Sequence, residues 1–504
     1  MANDRPAAIP ARRRALTAAT IARHLVLSLA AIAVAGGLAS CGGGSGSAQG
    51  PSGPVNTLQL TTSPALTRAF DPAVTDYAYV YKSGSPVNVN VAAPADTTVS
   101  IDGQPVHGST FSSQVNLVPG QSFSFVVNKA GTSQTYYVRC LPVDFPAWTT
   151  ERGGTPQADY YVFSPTQSTA GIPTGNYIII ADAYGVPMWW FKNTTLPVDT
   201  KLLPNGDIAW TSSPTGQEHK LDGSLVRSFT PTSPVGVSLD VHEIQLLPNG
   251  NYIYISDVDR PSIDLSSIGG LASETVLDTV IQEVTPAGAL VWQWSSFDHT
   301  SLSEVDPIWR IQFVQALMPA DPYHMNSVEP DGDGYIASIR HTNAIYRIDR
   351  ATGNITWKLG GSQRAESLTF VGDPYGNFGG MHDARRLPDG TLSLHDNGSQ
   401  RMRGPRAVRY RIDTAARTAT LVEQVTDPEV PSSFCCGSAT KLASGDWVMA
   451  WGGTGSITEL TPSGSRAFRM LVAPPFFSYR AIPIAPGVLT RADLRKGMDA
   501  QYPR

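Results

Sequence analysis

A short hairpin pattern that recurs along the C-terminal two-thirds of the chain is the feature that most limits its fold. Each copy carries an Asn-Gly, Asp-Gly or Ser-Gly turn, at 205–206, 249–250, 331–332, 389–390 and 444–445. Asn-Gly and Asp-Gly suit tight hairpins because both residues tolerate a positive φ. A second, distinct hairpin follows most copies. Two hairpins supply four strands, which is the composition of one blade of a β-propeller.

The repeat predicts an all-β protein with a six-bladed β-propeller over residues 143–504. A partial unit at 175–190 completes the count, and strand-like residues from Tyr479 to Ile484 are expected to close the ring against the first blade. The high content of glycine (46) and proline (39) favours short strands joined by frequent turns. A solenoid is a weaker alternative because the units differ in length.

Residues 57–142 predict a separate, small β-sandwich. Apolar residues alternate there with polar ones, and the turns Asp102-Gly103 and Pro119-Gly120 bound the apolar runs. Nothing in this stretch suggests catalysis, so spacing or adhesion is its expected role.

The first forty residues predict a lipoprotein signal peptide. Arg12, Arg13 and Arg14 precede an apolar stretch at 24–39 that is short for a membrane span. The stretch ends in Leu-Ala-Ser before Cys41 and resembles a bacterial lipobox, which implies cleavage before Cys41 and acylation of its thiol. Residues 41–56 would form a flexible tether. We therefore expect an exported, lipid-anchored protein of the cell envelope, on the periplasmic side or the cell surface; an uncleaved membrane anchor is the alternative.

Charge and cysteine content exclude several classes of protein. The net charge of −5, without a basic block, argues against a nucleic-acid partner. Four cysteines are too few for disulfides to be the main support of a chain of this length. The adjacent Cys435 and Cys436 could form a vicinal disulfide or remain two free thiols, and Cys140 has no obvious partner.

Three histidines occupy one register of the repeat. His242, His324 and His382 each lie seven residues before the Asn or Asp of the recurring turn. That position is the start of the innermost strand of a blade, and innermost strands line the central channel. We therefore expect the three imidazoles to converge.

Neighbouring residues indicate which chemistry these histidines could perform. Arg340 lies nine residues after Asp331 of the recurring turn, on the next predicted strand, and could recognise an oxyanion. Neutral imidazole is a good nucleophile near neutral pH, and the chain has no Gly-x-Ser-x-Gly sequence and no P-loop. Glu243 and Asp383 directly follow their histidines, so strand alternation predicts that they point away from the channel.

Several stretches of the propeller region together resemble the bacterial arylsulfotransferase family. They are Val241-His-Glu-Ile-Gln-Leu-Leu-Pro-Asn-Gly-Asn, Tyr323-His-Met-Asn-Ser, Ser338-Ile-Arg-His-Thr-Asn-Ala-Ile-Tyr, Ile355-Thr-Trp-Lys-Leu-Gly-Gly, and Met381-His-Asp-Ala-Arg-Arg-Leu-Pro-Asp-Gly with Asp396-Asn-Gly. The resemblance spans roughly residues 144–486. The preceding sandwich resembles the cadherin-like domains found beside many bacterial surface domains.

The resemblance implies transfer of a sulfuryl group from a phenolic sulfate ester to a phenol by a ping-pong route, without a nucleotide sulfate donor (PAPS) and without a cofactor. It implies that His382 is the nucleophile that becomes sulfohistidine, and that His242, His324 and Arg340 bind the sulfuryl oxygens and assist the leaving phenol. Weaker candidates for substrate binding are His341, His395 and Asn326.

Two other functions remain open from the sequence. The three histidines could be ligands of a metal enzyme, although no metal is our primary expectation. The propeller could also be a non-catalytic binding module displayed at the surface. The expected partners are a phenolic sulfate donor, a phenol acceptor and the membrane that holds the lipid anchor; assembly into a homodimer stays open.

Overall fold

A computed structural model of the chain describes residues 58–104, 110–167, 175–231, 233–234 and 237–504. These residues form β-strands with few and mostly short helices, which confirms the all-β prediction. The predicted signal peptide, the lipidation site Cys41 and the whole predicted tether lie outside the described residues. No helix within the described ranges combines the length and apolarity that crossing a bilayer requires.

Two facing sheets make up the N-terminal unit. One sheet has the order β1-β3-β5, and the other has the order β2-β7-β6-β4 with β2 parallel to β7. Val87, Val89 and Val91 of β3 are buried while Asn90 is exposed, as expected for a strand with one face on a core. The strands are β1 (Gln59–Ser63), β2 (Asp76–Val80), β3 (Val87–Ala92), β4 (Thr97–Ile101), β5 (Thr110–Val115), β6 (Ser122–Lys129) and β7 (Thr132–Leu141).

Twenty-six further strands follow in the described chain. The first twelve are β8 (Trp148–Arg152), β9 (Tyr160–Gln167), β10 (Asn176–Asp182), β11 (Pro187–Asn193), β12 (Thr200–Leu202), β13 (Ile208–Trp210), β14 (Gly216–His219), β15 (Leu225–Phe229), β16 (Ser238–Leu246), β17 (Tyr252–Ile263), β18 (Glu274–Val284) and β19 (Leu290–Ser295). The others are β20 (Met325–Asp331), β21 (Gly334–Ile339), β22 (Ala344–Asp349), β23 (Ile355–Gly360), β24 (Thr369–Val371), β25 (His382–Arg386), β26 (Leu392–Asp396), β27 (Arg406–Asp413), β28 (Thr418–Val425), β29 (Ser438–Lys441), β30 (Trp447–Ala450), β31 (Ser456–Leu460), β32 (Arg466–Val472) and β33 (Phe476–Ile484).

The helical segments are short except for the last one. They are the 3₁₀ turns Ser266–Ile268, Leu302–Glu304 and Arg340–Thr342, the π-helical turn Ile311–Gln315, and the α-helices α1 (Ser296–His299), α2 (Pro307–Arg310) and α3 (Arg491–Gln501). Helix α3 packs on β11 and contacts the N-terminal unit, where Arg495 pairs with Asp76 at 2.6 Å and Asp499 with Arg139 at 2.8 Å.

The strands after β7 form six sheets of four or five strands each. Four sheets have the orders β12-β13-β14-β15, β16-β17-β18-β19, β20-β21-β22-β23 and β25-β26-β27-β28-β24. The fifth, β29-β30-β31-β32-β8, and the sixth, β33-β9-β10-β11, each join strands from the two ends of this region. The pairing of β33 with β9 is the contact expected for the segment after Tyr479. The recurring turn connects the first two strands of five of these sheets, and Gly206, Gly250 and Gly390 have φ values of 79–86° there.

One guanidinium, that of Arg480 on β33, connects the first strands of several sheets. It lies 2.6 Å from Asp199, 3.3 Å from Glu243 and 3.4 Å from Asp383, and it donates to the Asn326 carbonyl at 2.8 Å. All four ionic side chains are at most 2% exposed. These partners belong to the chain at or beside β12, β16, β20 and β25, so Arg480 lies where these sheets meet.

The prediction that strand alternation directs the Glu243 and Asp383 side chains away from the centre where the sheets meet is wrong, because both carboxylates contact Arg480. The strand register shifts between Leu239 and Ile244 in β16 and between His382 and Arg385 in β25. A β-bulge interrupts strict alternation, so two successive side chains can face the same side of the sheet. Both carboxylates therefore reach Arg480. Burial alone would raise the pKa of Glu243, but the cationic side chains around it hold that pKa below its usual range.

We expect Arg480→Met to destabilise the six-sheet unit by about 3–5 kcal/mol, because it leaves three buried carboxylates without their shared cation. Thermal and denaturant unfolding would measure the loss. The matched control is Arg469→Met, since Arg469 pairs with carboxylates that are 53% and 66% exposed and should cost less than about 1 kcal/mol. Equal losses in the two variants would contradict the role given to Arg480.

Candidate active site

The structure brings His242, His324 and His382 together beside Tyr479, the residue that precedes Arg480 on β33. The rings of His242 and His324 lie edge to face with centroids 4.8 Å apart. The Tyr479 ring contacts His242 at 5.5 Å and His382 at 6.3 Å. His382 begins β25, His324 immediately precedes β20, and His242 lies within β16. The common register therefore places all three side chains around the same space.

The backbone around these histidines is locally unusual. His324, Asp383 and Cys436 have φ values of 56°, 58° and 65°. Residues with a Cβ rarely adopt this left-handed conformation, and such residues concentrate at functional sites because the surrounding structure has to hold them there. Together with the bulges in β16 and β25, these conformations determine how the imidazoles are aimed.

His382 is buried, with 1% of its surface exposed. Its Nδ1 lies 2.8 Å from both the Gly380 carbonyl and Asn397 Oδ1, and its Nε2 accepts from the Cys436 N–H at 3.1 Å. Burial, followed by the nearby positive charge of Arg340, holds the pKa of His382 well below its ordinary value. The hydrogen bond that Nε2 accepts from the Cys436 N–H fits a neutral ring.

His242 and His324 have carboxylates where His382 has an amide. His242 Nδ1 lies 2.7 and 2.9 Å from the two oxygens of Asp240, and His324 Nδ1 lies 2.5 Å from Asp321 Oδ2. Burial raises the pKa of Asp240, but the interaction with the neighbouring His242 ring and its hydrogen bonds outweigh this effect and leave that pKa below its usual value. Each carboxylate orients its imidazole and can balance a positive charge on the ring during a reaction.

Arg340 is a buried cation without a carboxylate partner within 4 Å among the described residues. Its Nη1 donates to His341 Nε2 at 2.8 Å, its Nη2 donates to the Phe434 carbonyl at 3.2 Å, and its Nε has no hydrogen-bond partner. The guanidinium lies 4.1 Å from the centre of the Trp309 ring. Burial lowers the pKa of Arg340, but a guanidinium remains charged at neutral pH. A buried cation of this kind can bind an anion.

A cavity of about 550 Å³ opens beside Arg340. Its wall includes Trp309, Arg340, Asn397, Met402 and Phe434. Asn397 also contacts the ring of the buried His382, so the cavity and the histidine share a wall residue. Aromatic side chains next to an unpaired cation suit an aromatic molecule that carries an anionic group.

The weaker candidates lie close to the same centre. His341 is fully buried with both ring nitrogens occupied, because Nδ1 donates to the Asp321 carbonyl at 2.7 Å and Nε2 accepts from Arg340. His395 pairs with His382 across β25 and β26; its Nδ1 donates to the Cys436 carbonyl, and its Nε2 has no partner. Asn326 donates to the Met381 carbonyl at 2.8 Å, while its Oδ1 is buried and unpartnered.

The vicinal disulfide weighed from the sequence is not formed in the structure, because Cys435 and Cys436 are both buried free thiols. Their backbone N–H and carbonyl groups form hydrogen bonds in and around the site. The Cys436 N–H donates to His382, its carbonyl accepts from Asn397 at 2.9 Å, and the Cys435 carbonyl accepts from the Gly453 N–H at 3.2 Å. The backbone conformation that makes these bonds leaves the two thiols in an apolar cluster.

Among the described residues, the group of metal-ligating side chains with a suitable geometry is Asp321, His324 and His341, and it contains just one of the three histidines in register. The lone pair of the neutral His341 ring, on Nε2, already accepts the hydrogen bond from Arg340, and Nδ1 donates to the Asp321 carbonyl. In this arrangement the group therefore does not offer three free ligand atoms to a metal ion.

Sequence reasoning missed several contributors to the site. Asp240 and Asp321 precede His242 and His324 by two and three residues, so a carboxylate just before two of the three histidines was an available signal. Arg480 was also detectable, as a charge within the apolar segment 476–484. Trp309 lies in a segment between sheets, and no sequence pattern connects it to Arg340.

Comparisons with protein families agree with this geometry. A family model described as arylsulfotransferase matches residues 208–472, which is just over half of the chain, and a model described as a cadherin-like beta sandwich domain matches residues 56–140. No curated protein matches the chain.

Solved structures share a low identity with the chain. A protein of unknown function from Bacteroides caccae is 13% identical, with a TM-score of 0.42, over 65% of this chain and 99% of that one. A catalytically inactive virginiamycin B lyase from Staphylococcus aureus is 14% identical, with a TM-score of 0.34, over 63% and 87% of the two chains. At these scores the structural likeness supports no inference about fold or function.

The buried histidines make stability depend on pH. Burial lowers the pKa of His395 to about 4 from 6.5, so the unfolded chain takes up a proton first as the pH falls and stability is lost between those values. We expect the stability advantage of the unmodified protein over His395→Asn to shrink by about 2–3 kcal/mol between pH 7.5 and pH 4.5. Denaturant unfolding at the two pH values measures this difference, and a constant difference would contradict it.

Proposed function

We propose that this chain, which belongs to the arylsulfotransferase family, transfers a sulfuryl group from a phenolic sulfate ester to a phenol through a covalent intermediate on His382. The reaction uses no nucleotide sulfate donor, because the aryl sulfate itself supplies the activated group. The observation that carries the proposal is the buried guanidinium of Arg340, which has no carboxylate within 4 Å among the described residues. It lies beside a cavity whose wall includes Trp309 and Phe434, and the wall residue Asn397 holds the ring of His382.

The first half-reaction forms the intermediate. The Nε2 lone pair of His382 attacks sulfur, the N–S bond forms, and the bond between sulfur and the phenolic oxygen breaks with its electron pair leaving on that oxygen. The Cys436 N–H lies 3.1 Å from this lone pair, so N–S bond formation replaces that hydrogen bond. Arg340 stabilises the negative charge of the sulfuryl oxygens during the transfer.

Protons are handled by the two histidines that have carboxylate partners. His242 and His324, held by Asp240 and Asp321, donate a proton to the departing phenolate and accept one from the incoming phenol. In the second half-reaction the acceptor oxygen attacks sulfur, the N–S bond breaks, and its electron pair returns to Nε2. The phenol and the new aryl sulfate are the products, and no water is consumed.

We further propose that the six sheets are the six blades of a propeller whose central channel holds the site. Contacts between the first strands support this, since β16 meets β20, β20 meets β25, β25 meets β29, β29 meets β33 and β33 meets β12. Export and lipid anchoring through Cys41 belong to the same proposal, as expected for an enzyme that uses no cytoplasmic nucleotide. The sandwich would then act as a spacer.

We expect His382→Ala to abolish sulfuryl transfer from a chromogenic aryl sulfate while the protein remains folded. Incubation of the unmodified protein with the aryl sulfate alone should add one sulfuryl group, and peptide mapping should place it on His382. Added phenol should then remove it. Full transfer by the variant would exclude this nucleophile, and binding of the aryl sulfate without any released phenol would favour a non-catalytic binding propeller.

We expect Arg340→Gln to reduce kcat/KM for the aryl sulfate by tenfold to a hundredfold, because a charged hydrogen-bond donor contributes about 1.5–3 kcal/mol. Steady-state kinetics measures this change. Arg310→Gln is the matched control, since the Arg310 side chain donates to the Val305 carbonyl close to the cavity but outside its wall. Similar losses in both variants would show that Arg340 has no specific role in binding the sulfuryl group.

A further inference from the structure

The orientation of the Asn397 amide is determined by its neighbours. Asn397 Nδ2 lies 2.9 Å from the Cys436 carbonyl and 2.7 Å from Ser433 Oγ. A carbonyl oxygen only accepts hydrogen bonds, so the atom facing it has to be the NH₂ group. Asn397 Oδ1 therefore faces His382 Nδ1, at 2.8 Å.

This orientation determines which nitrogen of His382 carries the proton. His382 Nδ1 faces two acceptors, Asn397 Oδ1 and the Gly380 carbonyl, so Nδ1 is protonated. A neutral ring with its proton on Nδ1 has its lone pair on Nε2. The Cys436 N–H, a donor that points at Nε2 from 3.1 Å, requires the same tautomer independently.

His242 and His324 differ from His382 in the group that faces Nδ1, and this difference shows what a neutral amide does there. At the equivalent ring nitrogen His242 faces Asp240 and His324 faces Asp321. A carboxylate there would favour a protonated ring, which has no lone pair with which to attack sulfur. An amide accepts the same Nδ1–H bond without adding a negative charge.

We infer that Asn397 is a positioning residue for sulfuryl transfer: its neutral amide fixes His382 in the Nδ1-protonated tautomer and so presents the Nε2 lone pair to the substrate. The inference depends on the proposed function, because it presumes that His382 is the nucleophile. It also explains why this histidine differs in its partner from the two others in the same register.

Among the described residues, no carboxylate near His382 occupies the position that Asn397 takes at Nδ1. Asp383, the next residue along the chain, pairs instead with Arg385 at 2.8 Å and with Arg480. The groups that face His382 are Arg340 beside β21, His395 on β26, His242 on β16, Tyr479 on β33 and the backbone N–H of Cys436 before β29.

The test is Asn397→Asp, which changes the charge but hardly the size of the side chain. A carboxylate in this place stabilises the imidazolium, so the nucleophile is protonated at higher pH. We expect the acid limb of the pH profile for sulfohistidine formation to move up by about one to two pH units, with the rate recovering at alkaline pH. Single-turnover reaction with an aryl sulfate, followed by intact mass, measures the profile.

Ser433→Ala is the control, because it removes one acceptor of the Asn397 amide and adds no charge. We expect it to leave the midpoint of the profile in place, whatever its effect on the rate. An unchanged midpoint in Asn397→Asp, with His382 still sulfated, would overturn the inference and leave the proposed function standing. Absence of any sulfuryl adduct in the unmodified protein would instead overturn the proposed function.

A measurement on the unmodified protein covers the case in which Asn397→Asp fails to fold. Nitrogen NMR with ¹⁵N-labelled histidine distinguishes a protonated Nδ1 from a protonated Nε2, and His382→Ala identifies the signal. We expect a neutral ring with the proton on Nδ1 at pH 7. A neutral ring protonated on Nε2, or a doubly protonated ring, would overturn the inference.

Discussion

The ion pairs of Arg480 are the interaction on which the arrangement of the site depends. A single guanidinium contacts carboxylates from three sheets and a carbonyl from a fourth, all of them buried. Removing charges from water is costly, and this cost is repaid only when each charge has well-placed partners. The first strands of these sheets are therefore held in one relative position, and the histidines that flank the carboxylates in sequence take their places from it.

The charges around Arg480 and those around Arg340 are balanced differently. Around Arg480, the cations Arg385 and Lys201 and the carboxylates Asp199, Glu243 and Asp383 balance one another closely. Arg340, near the cavity, has aromatic rings and an imidazole as neighbours and no carboxylate within 4 Å among the described residues. Because charges act strongly where water is excluded, this cation favours an anionic ligand, while the balanced network contributes rigidity.

The sequence predicts the strands and the register of the histidines better than it predicts the partners of those histidines. Turn residues and alternating apolar positions are local signals, so the hairpins and the sandwich can be located from them. The inward position of Glu243 and Asp383 depends on bulges, which carry no clear sequence signal. The contacts of Trp309 with Arg340 and of Cys436 with His382 join distant segments, so only the folded chain reveals them.

In the proposed reaction, repetition and divergence together would explain how one register supplies both a nucleophile and its assisting acids and bases. The repeated hairpin gives three sheets a histidine at the same position, and such histidines would otherwise be chemically alike. Their differences come from the residue at Nδ1, a carboxylate for His242 and His324 and an amide for His382. Residues outside the repeated position thus give the three imidazoles different hydrogen-bond partners, and in the proposed reaction this difference in charge at Nδ1 would separate their roles.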